Sequence, residues 1–346
     1  MDLVEARRLW DAEPGWLDTA SYGLPPKPGW DALQAALRDW RAGRTSWEGW
    51  GDATDRSRAA FARLIGVAPT DVAVGATVSQ MLAPVAAGLP AGATVLVPEV
   101  EFASNLFPWL VQASRGVAVR TSVGVDKLAD AVDAGTDLVA FSLVQSADGT
   151  VAAYERVVAA ARAHGALVVV DATQACGWLP FDAGLADVVV VGAYKWLMSP
   201  RGASFAYLGP AVRERMTPHA AGWFAGADVH SSYYGPPLRL AADARRFDIS
   251  PAWFSYVATA PTLELVERIG VRAIHAHNVA LADRFLAGLG RPSMGSAIVT
   301  VEVPDAGARL AAAGVRAAVR AGRVRASFHL YSTEADVDRA LAALVG

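Results

Sequence analysis

Two segments of this chain, Leu167–Val170 and Val188–Val191, are unbroken runs of apolar and mostly β-branched residues. A strand with one face in water alternates apolar and polar side chains, whereas a strand without alternation is covered on both faces. Such strands belong to sheets held between layers of helix, and those sheets are mainly parallel. The neighbouring sequence repeats the pattern. Short strand-like runs occur at Val72–Val74, Thr94–Val97, Val117–Thr121, Leu138–Ser142 and Ala203–Tyr207, with helical periodicity between several of them, as at Tyr154–His164. This alternation predicts an α/β fold with a large, mainly parallel, doubly wound sheet.

The two ends read differently. The first residues predict a short helix reaching about Gly15, a strand at Trp16–Ala20, a turn-rich loop SYGLPPKP, and helices over Pro28–Arg41 and Asp55–Ile65. Beyond Pro251 the pattern predicts a long helical stretch, clearest at Ala260–Ile269 and Val271–Leu289, then strand at Ala297–Val303, helix at Ala306–Ala313 and strand at Val324–Phe328. A last helix covers Thr333–Leu344, with Thr333 as N-cap and Asp336 three residues on. A length of 346 residues suits about two domains. The expected division is a large domain over residues 16–250 and a smaller α+β domain over 251–346, joined by 1–15.

Composition excludes several classes. A net charge of −3 gives no general attraction to nucleic acid or an anionic membrane. Val72–Pro98 carries no charge and is long enough to span a bilayer, but Pro84, Gly88, Pro90 and Gly92 interrupt it, so it reads as buried protein. The N-terminus has charges throughout and no apolar core for a signal peptide. Cys176 is the single cysteine, which rules out an intrachain disulfide and fits a reducing, cytoplasmic location. Arg316, Arg320, Arg323 and Arg325 cluster irregularly around Gly322, as a surface with one buried member.

Each unbroken run ends in chemistry. The first delivers Asp171, and the second is followed by Gly192, Ala193, Tyr194 and Lys195. A carboxylate and a lysine at neighbouring strand ends suit pyridoxal 5′-phosphate. The carboxylate keeps the pyridine nitrogen protonated and the lysine forms a Schiff base with the aldehyde. Gln174, three residues past Asp171, is placed to reach the ring's phenolic oxygen. With the run KWLMSPRG, Lys195–Gly202, the chain resembles the class V aminotransferase superfamily of fold-type I pyridoxal-phosphate enzymes. That superfamily includes cysteine desulfurases, selenocysteine lyases, kynureninases and isopenicillin-N epimerase.

The resemblance implies roles for further residues. GATVS, Gly75–Ser79, matches the turn that binds the cofactor phosphate, through the main chain of Ala76 and through Thr77. In EFASNLFPW, Glu101–Trp109, Phe102 takes the position that stacks on the pyridine ring. Desulfurases and selenocysteine lyases usually carry histidine there, and phenylalanine cannot transfer a proton. Tyr194 matches a phosphate donor. In SLVQSADGT, either Gln145 or Ser146 faces the cofactor or substrate. Ser250 matches a residue that reaches the phosphate of the other subunit in a homodimer with shared active sites. Trp223 matches an aromatic near the cofactor, with an ordinary interface aromatic the simpler reading. Arg325 matches the arginine that binds the substrate carboxylate, and Ser21 and Tyr22 lie in a loop that closes over the substrate.

The implied activity is turnover of an α-amino acid through an external aldimine, with Lys195 as base. Aminotransfer comes first because it asks least of the constellation. β-Elimination, C–S or kynureninase-like Cβ–Cγ cleavage, and epimerisation are the alternatives. A desulfurase relay is disfavoured because Ala311–Gly322, which precedes Arg325, contains no cysteine. No metal is implied. A nicotinamide-dependent dehydrogenase would need GxGxxG after the first strand, and the chain has none.

Overall fold

The structure is a computed structural model and describes residues 1–320 and 322–345. In chain order its elements are α1 (Leu3–Arg7), α2 (Lys27–Arg41), α3 (Glu48–Ile65), β1 (Val72–Gly75), α4 (Val78–Ala87), β2 (Thr94–Pro98), α5 (Ala103–Leu110), β3 (Ala118–Ser122), β4 (Leu138–Ser142), α6 (Tyr154–His164), β5 (Leu167–Asp171), β6 (Val188–Gly192), β7 (Ser204–Leu208), α7 (Pro210–Arg215), α8 (Trp253–Ile269), α9 (Val271–Gly288), β8 (Ile298–Val301), α10 (Ala306–Ala312), β9 (Ala318–Arg320), β10 (Arg323–Ser327) and α11 (Glu334–Val345).

Seven strands form one sheet in the order β3-β2-β4-β5-β6-β7-β1. Strands β2 to β6 pair in parallel, and β7 runs antiparallel to both its neighbours. The unbroken runs have the expected cause. Val168 and Val170 of β5, with Val189 and Val191 of β6, face one core, while Val169, Val188 and Val190 face the other. Burying each such valine stabilises the fold by roughly 1.5–3 kcal/mol. A charge at any of them would lie unpaired in a core.

A second, antiparallel sheet has the order β8-β10-β9. Val299, Val301, Val324 and Ala326 of this sheet share a core with Phe285 of α9 and Val337 and Ala340 of α11. At the head of α11 the Asp336 amide donates to Thr333 Oγ1, while the Thr333 amide and hydroxyl donate to Asp336 Oδ2. This reciprocal box fixes the helix start.

Three local expectations need correction. Trp16–Ala20 is not a strand: it makes only isolated bridges, Trp16 with Arg316 and Asp18 with Ser327. Leu17 donates its amide to the Arg316 carbonyl and accepts from the Ser327 amide, so it threads between the segment ahead of β9 and the end of β10. The first helix stops at Arg7. The chain then turns at Gly15, whose φ is +89° and whose added Cβ would fall 2.5 Å from the Gly314 carbonyl oxygen. Helix α3 begins earlier than periodicity suggests, at Glu48, while α8 starts at Trp253, within the helical stretch expected after Pro251. They pack on each other, and α8 also packs on α2, so tertiary burial outweighs Gly49, Gly51 and Pro261. No helix of the described residues is long and apolar enough to cross a membrane.

Candidate active site

The functional side chains sit where the parallel strands end, the one place in such a sheet where polar groups escape both cores. Asp171 is the last residue of β5 and pairs in register with Val190 of β6. Its Oδ1 accepts from the Thr173 amide at 2.8 Å, and Thr173 Oγ1 accepts from the Gly192 amide at 2.9 Å, which ties the two strand ends together. Asp171 is buried, and burial raises its carboxyl pKa against the opposing hydrogen bonds from Thr173 and the Lys195 charge. Lys195 is 6% exposed. Burial lowers its ammonium to about 8, Asp171 opposes that shift, and Arg325 and Arg201 reinforce it.

A cleft of about 300 Å³ joins these groups. It is lined by Ala76, Thr77, Phe102, Ser146, Asp171, Gln174, Tyr194 and Lys195, and also by Ser79 and Arg201. Lys195 Nζ lies 5.3 Å from the Phe102 ring centroid and 5.6 Å from that of Tyr194. Thr77 caps α4, accepting from the Gln80 amide at 3.2 Å. The amide of Ala76 donates to Gln80 Oε1 at 2.8 Å, so the open donors lie further on, at the first turn of α4. Gln174 is engaged at both ends: its Nε2 donates to the Ala20 carbonyl at 3.0 Å, and its Oε1 accepts from Trp196 Nε1 at 2.8 Å.

Other expected residues stand outside the cleft within one chain. Gln145 turns back toward Glu101 and the Ser142 carbonyl, whereas Ser146 lines the cleft. Arg325 is 2% exposed and spans from the small sheet to the large domain. It donates to the Ser146 carbonyl at 2.7 Å and to Ser21 Oγ at 3.0 Å, and lies 3.6 Å from Asp18. Tyr22 lines a neighbouring apolar groove that shares Tyr194 and Arg201 with the cleft. Ser250 is exposed. Trp223 packs in an aromatic group with Trp47, Trp253 and Tyr233.

Sequence reasoning missed Glu101 and His329. Glu101 accepts from the Phe102 amide at 2.7 Å and from the Ser142 amide at 2.7 Å, so it pins the Phe102 loop to the end of β4. Burial is the main cause of its raised pKa, with Asp171 adding to it. The signal was an acidic residue three positions past the end of β2. His329 is buried, donates Nε2–H to the Trp196 carbonyl at 2.9 Å and has its pKa lowered to about 4 by burial. Nothing local in the sequence separates it from a surface histidine.

The donor set fits a pyridoxal phosphate. Among the described residues Lys195 Nζ has no hydrogen-bond partner, and only one oxygen of Asp171 is engaged. A buried amine and a half-used carboxylate, with a helix N-terminus across the same cleft, match an aldehyde, a pyridine nitrogen and a phosphate. The large, mostly parallel sheet and this lysine–aspartate pair define a fold-type I pyridoxal-phosphate architecture.

The chain belongs to the aminotransferase class-V family, whose model matches residues 45–298. Its cofactor is that of the family, pyridoxal 5′-phosphate. An uncharacterized aminotransferase of Bacillus subtilis (strain 168), YcbU, is 29% identical over 243 residues, 67% of this chain. The match spans 64% of the length of YcbU. A probable cysteine desulfurase of Methanothermobacter thermautotrophicus is 27% identical over 289 residues, 79% of this chain and 71% of that protein. The cystine C-S lyase C-DES, in complex with its reaction product cysteine persulfide, shares the fold. Its TM-score is 0.85 at 21% identity, covering 96% of this chain and 97% of C-DES.

Proposed function

We propose that this chain is a pyridoxal-phosphate-dependent enzyme that removes the Cα proton of an α-amino acid and, where sulfur is attached at Cβ, expels that sulfur by β-elimination. One observation carries the reading. Lys195 lines the cleft, its Nζ has no hydrogen-bond partner among the described residues, and burial lowers its ammonium to about 8, so it reaches its proton-accepting form close to ordinary pH. Phe102 occupies the ring position without any capacity for proton transfer.

A single base restricts the chemistry. Among the described residues lining the cleft no histidine or second lysine accompanies Lys195, which disfavours epimerisation by two opposed bases and hydrolytic Cβ–Cγ cleavage. Departure of a thiolate needs neither, since sulfur carries the charge well. Cys176 offers no persulfide relay: it is buried, and burial pushes its thiol up to about 12. The desulfurase and C-S lyase names among the relatives support a sulfur-bearing substrate.

Bound in the cleft, the cofactor supplies a protonated ring as electron sink. Asp171 would hold the ring nitrogen protonated, Phe102 would lie against the ring, and the first turn of α4 with Thr77 and Tyr194 would take the phosphate. Arg325, with Ser21 and Ser146 beside it, holds the substrate carboxylate. Lys195 accepts the Cα proton and hands it to the departing sulfur. With one water the products are a thiol, pyruvate and ammonium. Ser250 adds a phosphate contact from the partner subunit of a cytoplasmic homodimer, which agrees with its exposed position outside its own cleft.

Aminotransfer is the second reading. It too needs one base, and the YcbU relative is named an aminotransferase. The holoenzyme given S-substituted cysteines without a keto acid separates the two. Thiol, pyruvate and ammonium in equal amounts are expected, whereas turnover only after a keto acid is added, with release of a new amino acid, establishes aminotransfer.

A further inference from the structure

We propose that Arg201 is a cofactor-binding residue whose guanidinium pairs with the phosphate of pyridoxal 5′-phosphate. The proposal rests on the reading that the cleft holds this cofactor. A phosphate monoester brings about −1.5 to −2 charges at neutral pH. Among the described residues the cleft lining holds three charged side chains, Asp171, Lys195 and Arg201. The carboxylate suits the ring nitrogen and the lysine suits the aldehyde carbon. The phosphate end, formed by Thr77, Ser79 and Tyr194 with the first turn of α4, is otherwise neutral. Arg201 is the cation that remains.

Its placement is built into the loop. The Arg201 guanidinium carbon lies 4.2 Å from the Tyr194 ring centroid. Stacking on that ring holds the planar fork against Tyr194, which itself lines the cleft. The Arg201 carbonyl accepts from Ser255 Oγ at 2.5 Å, which anchors the backbone to α8. Gly202 follows with φ at +107°, where an added Cβ would meet Ser255 Oγ at 2.8 Å. No carboxylate among the described residues pairs with Arg201, although fifteen other ion pairs occur among them. An arginine fixed by stacking and left without an acid at the mouth of such a cleft is matched to an anionic ligand.

The test compares pyridoxal 5′-phosphate with pyridoxal, which lacks the phosphate, on cofactor-stripped protein. Binding is followed by the visible absorbance of the lysine linkage. In Arg201→Gln, affinity for pyridoxal 5′-phosphate should fall about tenfold while that for pyridoxal stays unchanged. Arg201→Lys should recover part of the loss, which a folding defect would not allow. An unchanged preference for the phosphorylated form in Arg201→Gln overturns the proposal, as does an equal loss for both ligands. A defect confined to amino-acid binding also overturns it and moves Arg201 to the substrate. Failure of the wild-type protein to take up either compound overturns the cofactor reading itself.

Discussion

Lys195 is the residue on which the chemistry turns, and its environment makes two pH predictions. Only the neutral amine attacks an aldehyde. With the ammonium lowered to about 8, the rate at which stripped protein captures pyridoxal 5′-phosphate should rise roughly tenfold per pH unit and level off above that pKa. Stopped-flow absorbance checks this, and a plateau delayed to pH 10 would mean a solvated lysine. Stability follows the same shift. The folded pKa lies below the ordinary 10.5, so between about 8 and 10.5 the unfolded chain binds more protons. The stripped protein should therefore gain stability as pH rises through that window, read as a rising urea midpoint. Borohydride reduction should then fix the cofactor to the Lys195 peptide rather than to Lys27 or Lys127, the two other lysines. Arg325 answers a separate question. Arg325→Lys should leave the visible band of the cofactor intact and weaken amino-acid binding about ten- to a hundredfold, because a point charge cannot replace a planar fork. Normal binding in that variant would place the carboxylate site elsewhere.

Among the elements, the loop after Lys195 and the loop ahead of α2 fit most tightly. The Gly23 amide donates to the Tyr194 carbonyl at 2.9 Å. A Cβ on Gly23 would fall 2.1 Å from the Lys195 carbonyl oxygen. Gly23→Ala should therefore displace one loop from the other, costing about 1–3 kcal/mol of stability and lowering kcat/KM. Thermal unfolding and steady-state rates measure both, and a silent variant would show that the loops do not depend on this contact. The same loops mark how far sequence carries. Strands β1, β2 and β4 to β7 were legible because their apolar runs have one cause, burial on both faces, whereas the edge strand β3 is partly exposed and was read from its β-branched residues alone. The Asp171 and Lys195 positions were legible because a parallel strand can carry chemistry only at its end. β9 was not, since Val319 and Arg320 are exposed and leave no apolar pattern. The pairing of Trp16–Ala20 with residues about 300 positions away was not either, because isolated bridges set no periodicity. Glu101 was passed over because its partners, Ser142 and Gln145, come from another strand end.

At the scale of the whole molecule, Ser250 is exposed and lies outside its own cleft. A shared-site dimer predicts that Ser250→Ala loosens cofactor retention only modestly, by about 0.5–1.5 kcal/mol, and that the protein sediments as a dimer. A fully active monomer would exclude that assembly. The small sheet meets the large domain through Arg325, whose guanidinium is already occupied by the Ser146 carbonyl, the Ser21 hydroxyl and Asp18. A substrate carboxylate bound at Arg325, as we propose, would therefore not enter a vacant socket: it would have to displace Asp18, 3.6 Å from the guanidinium, and an amine without a carboxylate would leave that link between the N-terminal loop and the small sheet in place.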